Sequence, residues 1–287
     1  MSLKKTLRIA RLTFKETISR RLVPAAIVVS LLYIVLFALA YNFAQDRGAQ
    51  AITGQRSRVL VGVGMASLTL SGLYIVNLLS GFLALFISVG TISGEVDSGT
   101  LHALLARPMR RSDFLLGRWL AYAVLIAVYV SVMAGLVLVV ASVIGDYVAP
   151  DPLRAIGLMI LASLFLLTLS LLGSTFLPTM TNGAVGFTLF GLGWLSGVIE
   201  VLGGMQRNEA LLNLGTTIAI FIPADQLWRS ASFYVQSAAV LAASNTLGAA
   251  MPMLANAPPT PFLVVWGLIY PLILLGSAVT VFARRDL

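Results

Sequence analysis

The feature that most constrains this chain is the recurrence of uncharged apolar stretches about twenty residues long, the length a helix needs to cross a bilayer. Stretches of that length, recurring along the chain, mark a polytopic helical membrane protein. Hydropathy places six spans, at about residues 22–41, 72–93, 114–144, 153–177, 184–202 and 261–282. Pro24 falls in an opening turn, where its missing N–H is tolerated. The third span is too long for one upright crossing, so tilt or an extension beyond the lipid is expected. Charged residues are only 10% of the chain, against about 25% in soluble domains. Residues 1–287 therefore read as a single all-α polytopic membrane domain with six transmembrane helices, without internal repeats.

Lysine and arginine accumulate on the cytoplasmic side of membrane proteins. Thirteen of the nineteen lie in the N-terminal tail, in or just after the connection between spans two and three, and at the C-terminus; the others are Arg47, Arg56, Arg58, Arg154, Arg207 and Arg229. This asymmetry predicts a multi-pass protein of the cytoplasmic (inner) membrane with both termini in the cytoplasm. The net charge of +8 is then a topology signal, and no basic cluster with interleaved aromatics indicates nucleic acid. Two long connections, 42–71 and 203–260, are expected to face outward. The first has a polar part and then a glycine-rich apolar part, read as interfacial or as an early start of span two. The second, interrupted by Pro223 and Asp225, suits a helical hairpin dipping into the outer leaflet, where irregular backbone must be covered by protein.

Several chemistries are poorly served. There is no cysteine and a single histidine, His102, so neither thiol chemistry nor a His-rich metal cluster is expected. A membrane-embedded enzyme needs its reacting groups at one depth, and no such group is visible. Ion-coupled carriers place ionisable residues inside their spans, and the central portions of these six hold none. Two polar residues remain. Asn77, in span two, reads as helix-to-helix glue or as a gate-lining residue. Glu200, near the outer end of span five, reads as an interfacial carboxylate or as lining for the exit of a cationic or amphipathic substrate.

The N-terminal segment, residues 1–21, is basic and amphipathic. Leu3, Leu7, Ala10 and Phe14 share one helical stripe, with Lys4, Arg8, Arg11 and Lys15 beside it, as in a helix lying flat on an anionic leaflet. No small-residue cleavage motif follows, so no cleaved leader is expected. Residues 94–112, between spans two and three, are a second departure from apolar sequence. Asp97 or Ser98 can cap a helix. Leu101, Leu104, Leu105 and Met109 then form a one-sided stripe that Pro108 interrupts. Two turns of helix are unstable alone, so this segment must dock, either on its own membrane domain or in a groove of a cytoplasmic protein with Glu95 and Asp97 facing basic groups. Gly94 and Gly99 would permit a sharp turn and close approach.

Here Ser93-Gly94-Glu95, Gly99-Thr100-Leu101, Leu104-Leu105-Ala106-Arg107-Pro108, Arg111 and Phe114-Leu115-Leu116-Gly117-Arg118 resemble the pattern after the second span of ABC transporter type 2 permeases. Arg118 stands where that family commonly has lysine. The overall plan, down to the ending Phe282-Ala283-Arg284-Arg285-Asp286-Leu287, is similar too. The resemblance implies a membrane-spanning permease subunit of an ATP-driven transporter, and export as its direction. It also implies a coupling helix over residues 94–107, with Gly94, Glu95, Asp97, Gly99, Thr100, Leu101, Leu104, Leu105 and Arg107 engaging a separate ATPase. The chain has no phosphate-cradling GxxxxGK[ST] loop, so no cofactor is expected in it. ATP and magnesium would be bound by two cytoplasmic ABC ATPase subunits, beside a second permease copy or homologue. The alternative is a non-transporting membrane anchor that recruits an ATPase for signalling or resistance. An apolar path without buried charge leans toward lipids, hydrophobic peptides or drugs.

Overall fold

A computed structural model describes residues 3–19, 22–51, 54–97, 111–238, 240–242, 255 and 257–284. All regular structure among the described residues is helical. The elements are α1 (Leu3–Ser19), α2 (Leu22–Ala51), α3 (Gln55–Ser88), α4 (Ser93–Asp97), α5 (Arg111–Gly145), α6 (Pro152–Ser174), α7 (Thr179–Gln206), α8 (Glu209–Phe221), α9 (Ala224–Val235) and α10 (Pro261–Arg284). Six segments are long and apolar enough to span a membrane, carried by α2, α3, α5, α6, α7 and α10. The chain is an all-α polytopic membrane protein.

The helices outrun the hydropathy. The connection expected over 42–71 is almost entirely helical: α2 continues to Ala51 and α3 begins at Gln55. Hydropathy marks where lipid contact ends, whereas a helix continues while its residues favour it and a neighbour packs beside it. Tyr41 is fully buried in this region, and its hydroxyl lies 3.1 Å from Thr69 Oγ1. The third span likewise extends to 35 residues in α5.

The six spans are unequally buried. In the spans of α3 and α6, 61% of residues are interior, against 17% in that of α2, 22% in α7 and 28% in α10. The central pair is joined by small hydroxyls: Ser163 Oγ donates to Ser80 Oγ at 2.9 Å, and Ser80 Oγ donates to the Asn77 carbonyl at 2.8 Å. In an apolar core each such bond keeps a polar atom from being stranded.

The amphipathic α1 packs unexpectedly. Thr6, Ala10, Thr13 and Thr17 are buried, while Leu7 on the apolar stripe is half exposed. Small residues let α1 approach α5 closely. A Cβ built on Gly117 of α5 would lie 2.7 Å from Ile9 Cγ2 and 3.0 Å from the Thr6 carbonyl. Thr17 Oγ1 donates to the Thr13 carbonyl at 2.7 Å, so its hydroxyl is satisfied within α1. Leu7 remains on the surface of the bundle.

Between α7 and α10 the chain forms two short helices bent by 97° at a break. Arg207, in the left-handed region at φ 51°, ends α7, and Asn208 caps α8 by accepting from the amides of Ala210 and Leu211. At the break, Trp266 Nε1 of α10 donates to the Ile220 carbonyl at 2.8 Å, satisfying one of the acceptors a helix end exposes. Tyr147, in the turn after α5, donates to the Val235 carbonyl at the end of α9. Burial pushes this phenol up to about 12, which keeps it a neutral donor.

Candidate functional site

At one end of the bundle, α3 gives way to α4 through a turn over residues 89–92, and α5 begins at Arg111. The two long helices are thus roots for the segment between them. Each side of this junction is tied to the bundle. Ser93 Oγ is 2.8 Å from Thr179 Oγ1 at the start of α7. Glu95 on α4 forms an ion pair with Arg118 on α5, the side chains being only 14% and 5% exposed. Arg118 also donates through Nη1 to the Thr91 carbonyl at 3.2 Å, and its guanidinium lies 4.8 Å from the centre of the Phe114 ring. One arginine therefore holds the turn, α4 and α5 together. Arg111 reaches the carbonyls of Phe282 and Ala283 on α10, and Phe114 packs against Phe282. Asp113, 2% exposed, lies in the first turn of α5, where a helix dipole favours negative charge.

Asn182 completes this end. Its Nδ2 donates to the Val89 carbonyl at 2.9 Å and to the Ser170 carbonyl at 2.8 Å, joining α7 to the turn after α3 and to α6. Sequence reasoning missed it because one asparagine near a span's end carries no signal of its partners. Arg118 was visible as a preserved charge, but its pairing with Glu95, 23 residues away, was not.

The expected coupling residues divide. Gly94, Glu95 and Asp97 are in α4; Gly99, Thr100, Leu101, Leu104, Leu105 and Arg107, with His102, lie outside the described residues. Gly94 is the second residue of α4, directly after the turn over residues 89–92. A methyl there would touch only Thr179 Oγ1, at an ordinary 3.9 Å. Glu95 is turned toward Arg118.

At the opposite end, Glu200 of α7 and Asp225 of α9 flank Arg229. The Arg229 guanidinium is 2.5 Å from Glu200 Oε2 and 3.1 Å from Asp225 Oδ2, and all three side chains are at most 14% exposed. The i,i+4 spacing of Asp225 and Arg229 is a sequence signal; Glu200, 29 residues before Arg229, is not reachable that way. Glu200 is therefore tied to α9.

Between these ends, α3 and α7 form an aromatic cleft of about 400 Å³, lined by Tyr74, Leu78, Phe82, Phe187, Phe190 and Trp194. Trp228 of α9, 1% exposed, packs against Tyr74 with ring centres 5.4 Å apart and planes tilted by 55°. Asn77 is 7% exposed on α3, between Tyr74 and Leu78 in sequence but outside the cleft's lining. Among the described residues, no group of three histidine, cysteine or carboxylate side chains is placed to hold a metal.

Comparison with protein families gives a match to the ABC-2 family transporter protein description over residues 7–287. Comparison with curated proteins gives no match.

Proposed function

Given that the chain belongs to the ABC-2 family of transporter proteins, we propose that it is the permease subunit of an exporter driven by cytoplasmic ABC ATPase subunits. The observation that carries this reading is the Glu95–Arg118 junction. A force applied between α3 and α5 reaches both helices at once, because one buried ion pair fastens α4 to α5 while α4 follows α3 after a four-residue turn that the same arginine holds. Residues 98–110, including Gly99, Thr100, Leu101, Leu104, Leu105 and Arg107, then form the coupling element, with Asp97 at its base. Two ATPase subunits bind ATP and magnesium and close on each other; two permease copies, or one copy and a homologue, each follow one ATPase.

The path for the transported molecule runs along the α3–α7 face. The aromatic cleft favours apolar or flat cargo, and Glu200 with its partners closes the far end. Displacement of α3 relative to α7 opens or closes that cleft, so the ATPase acts by shifting a packed two-state element. Chemistry within this chain is not required.

The absence of native cysteine makes the test direct. Leu101→Cys in the full complex should form one cross-link to a cysteine placed in the ATPase groove, and nucleotide should change its yield. Substrate should then move into vesicles reconstituted with the complex only when ATP is hydrolysed. ATPase binding without any substrate movement would establish the anchor instead, and no cross-link with any groove position would remove the coupling element.

A further inference from the structure

A second cleft, of about 360 Å³, opens between α1, α2 and α5, away from the aromatic one. Its walls include Phe14 and Ile18 of α1, Leu31 of α2, and Val128 and Val132 of α5. Leu31, Val128 and Val132 are 53–58% exposed, so the cleft opens sideways on the flank of two membrane spans. The hydroxyls on its wall belong to Ser30 and Tyr129, and they lie 2.7 Å apart, with Ser30 Oγ also 2.6 Å from the Ala26 carbonyl. Both are thus satisfied without water, and a hydrocarbon chain can enter without stranding a polar group.

What lies at the rim sets the occupant. Around α1 the buried row Thr6, Ala10, Thr13 and Thr17 faces the bundle, and Phe14 and Ile18 form the lip of the cleft. Arg8, Arg11 and Lys15 follow at three- and four-residue spacing on the next strip of surface, and all three are exposed. An apolar slot therefore ends beside a row of positive charge. A second copy of the chain fits poorly, because a two-fold pair would bring the same basic strips together.

We propose that this cleft binds one anionic phospholipid from the leaflet on the α1 side, with an acyl chain between α2 and α5 and the phosphate against Arg8 and Arg11. A zwitterionic lipid meets the same walls but gains little from the basic strip. The lipid braces α1 against two spans, and its binding does not depend on the transport reading.

The test is native mass spectrometry of the full chain in detergent, titrated with phosphatidylglycerol or with phosphatidylcholine of the same acyl composition. One phosphatidylglycerol per chain should be held roughly thirtyfold more tightly, the scale set by two basic residues near an anionic headgroup at about 1 kcal/mol each. The double substitution Arg8→Gln/Arg11→Gln, confined to exposed positions, should bring phosphatidylglycerol down to the phosphatidylcholine level. Val132→Trp, at a lipid-facing position, should fill the cleft and abolish the tight class while far-UV circular dichroism stays unchanged. Equal retention of the two lipids would overturn the proposal. So would tight binding that survives Val132→Trp, which would place the headgroup on α1 alone, or a dimer mass that Val132→Trp abolishes, which would assign the cleft to a second copy.

Discussion

Glu95 and Arg118 have given up most of their hydration, so removing one partner leaves a buried charge, a change that costs about 3–5 kcal/mol in comparable pairs. Glu95→Lys sets two cations against each other and should lower the thermal midpoint in detergent sharply. Adding Arg118→Glu should recover part of the loss. A double-mutant cycle read by thermal unfolding isolates the pair; a doubly reversed protein no more stable than the worse single variant would show that the pair does not join α4 to α5. At the other end, Arg229→Leu should leave Glu200 and Asp225 facing each other without their shared cation. Loss of several kcal/mol is expected, and Glu200→Gln/Asp225→Asn in the same background should return most of it. Recovery by the neutral pair, followed in the same melts, would identify charge rather than lost packing as the cause.

Elements here are held by close approach as much as by charge. Gly117 is where α1 crosses α5, and any side chain there meets Ile9 and a backbone carbonyl. Gly117→Leu should therefore lift α1 from α5 without unfolding the spans, exposing the α1 linkage to protease while the far-UV signal is retained. Unchanged protection would mean that α1 is held by lipid alone. Gly173 is similar: a Cβ would collide with Asn182 Oδ1, so Gly173→Ala must displace the side chain that joins α7 to α6 and to the turn after α3. A loss of about 1–3 kcal/mol is expected, as for other overpacked sites. It should be largely absent in an Asn182→Ala background.

Across the whole molecule, burial sorts the spans into a central pair and a periphery. A photoactivated apolar carbene reagent in the bilayer should label the α2 span most and the α3 and α6 spans least, in line with interior fractions of 17% and 61%. Heavy labelling of α6 would contradict this arrangement. The α7 span, only 22% interior, should label strongly in isolated chains and weakly in the assembled transporter if a second copy covers it. The difference between the two preparations reads assembly directly.

Much of the architecture was legible from sequence, because lipid is a simple solvent. It accepts only segments whose backbone groups are bonded internally and whose side chains are apolar, and both conditions are local. The number of spans was therefore readable residue by residue. Helix length was not, since Tyr41, Thr69 and their neighbours extend α2 and α3 through packing that hydropathy does not see. The face by which α1 meets the bundle was not legible, because its small threonine–alanine row stands out in neither hydropathy nor charge. Only the tertiary structure decided which charges meet. Glu95 finds Arg118, Glu200 finds Arg229 and Ser93 meets Thr179 across 23, 29 and 86 residues. A buried polar group is satisfied by whatever partner the fold brings within bonding distance, and that proximity is a property of packed helices rather than of any stretch of chain.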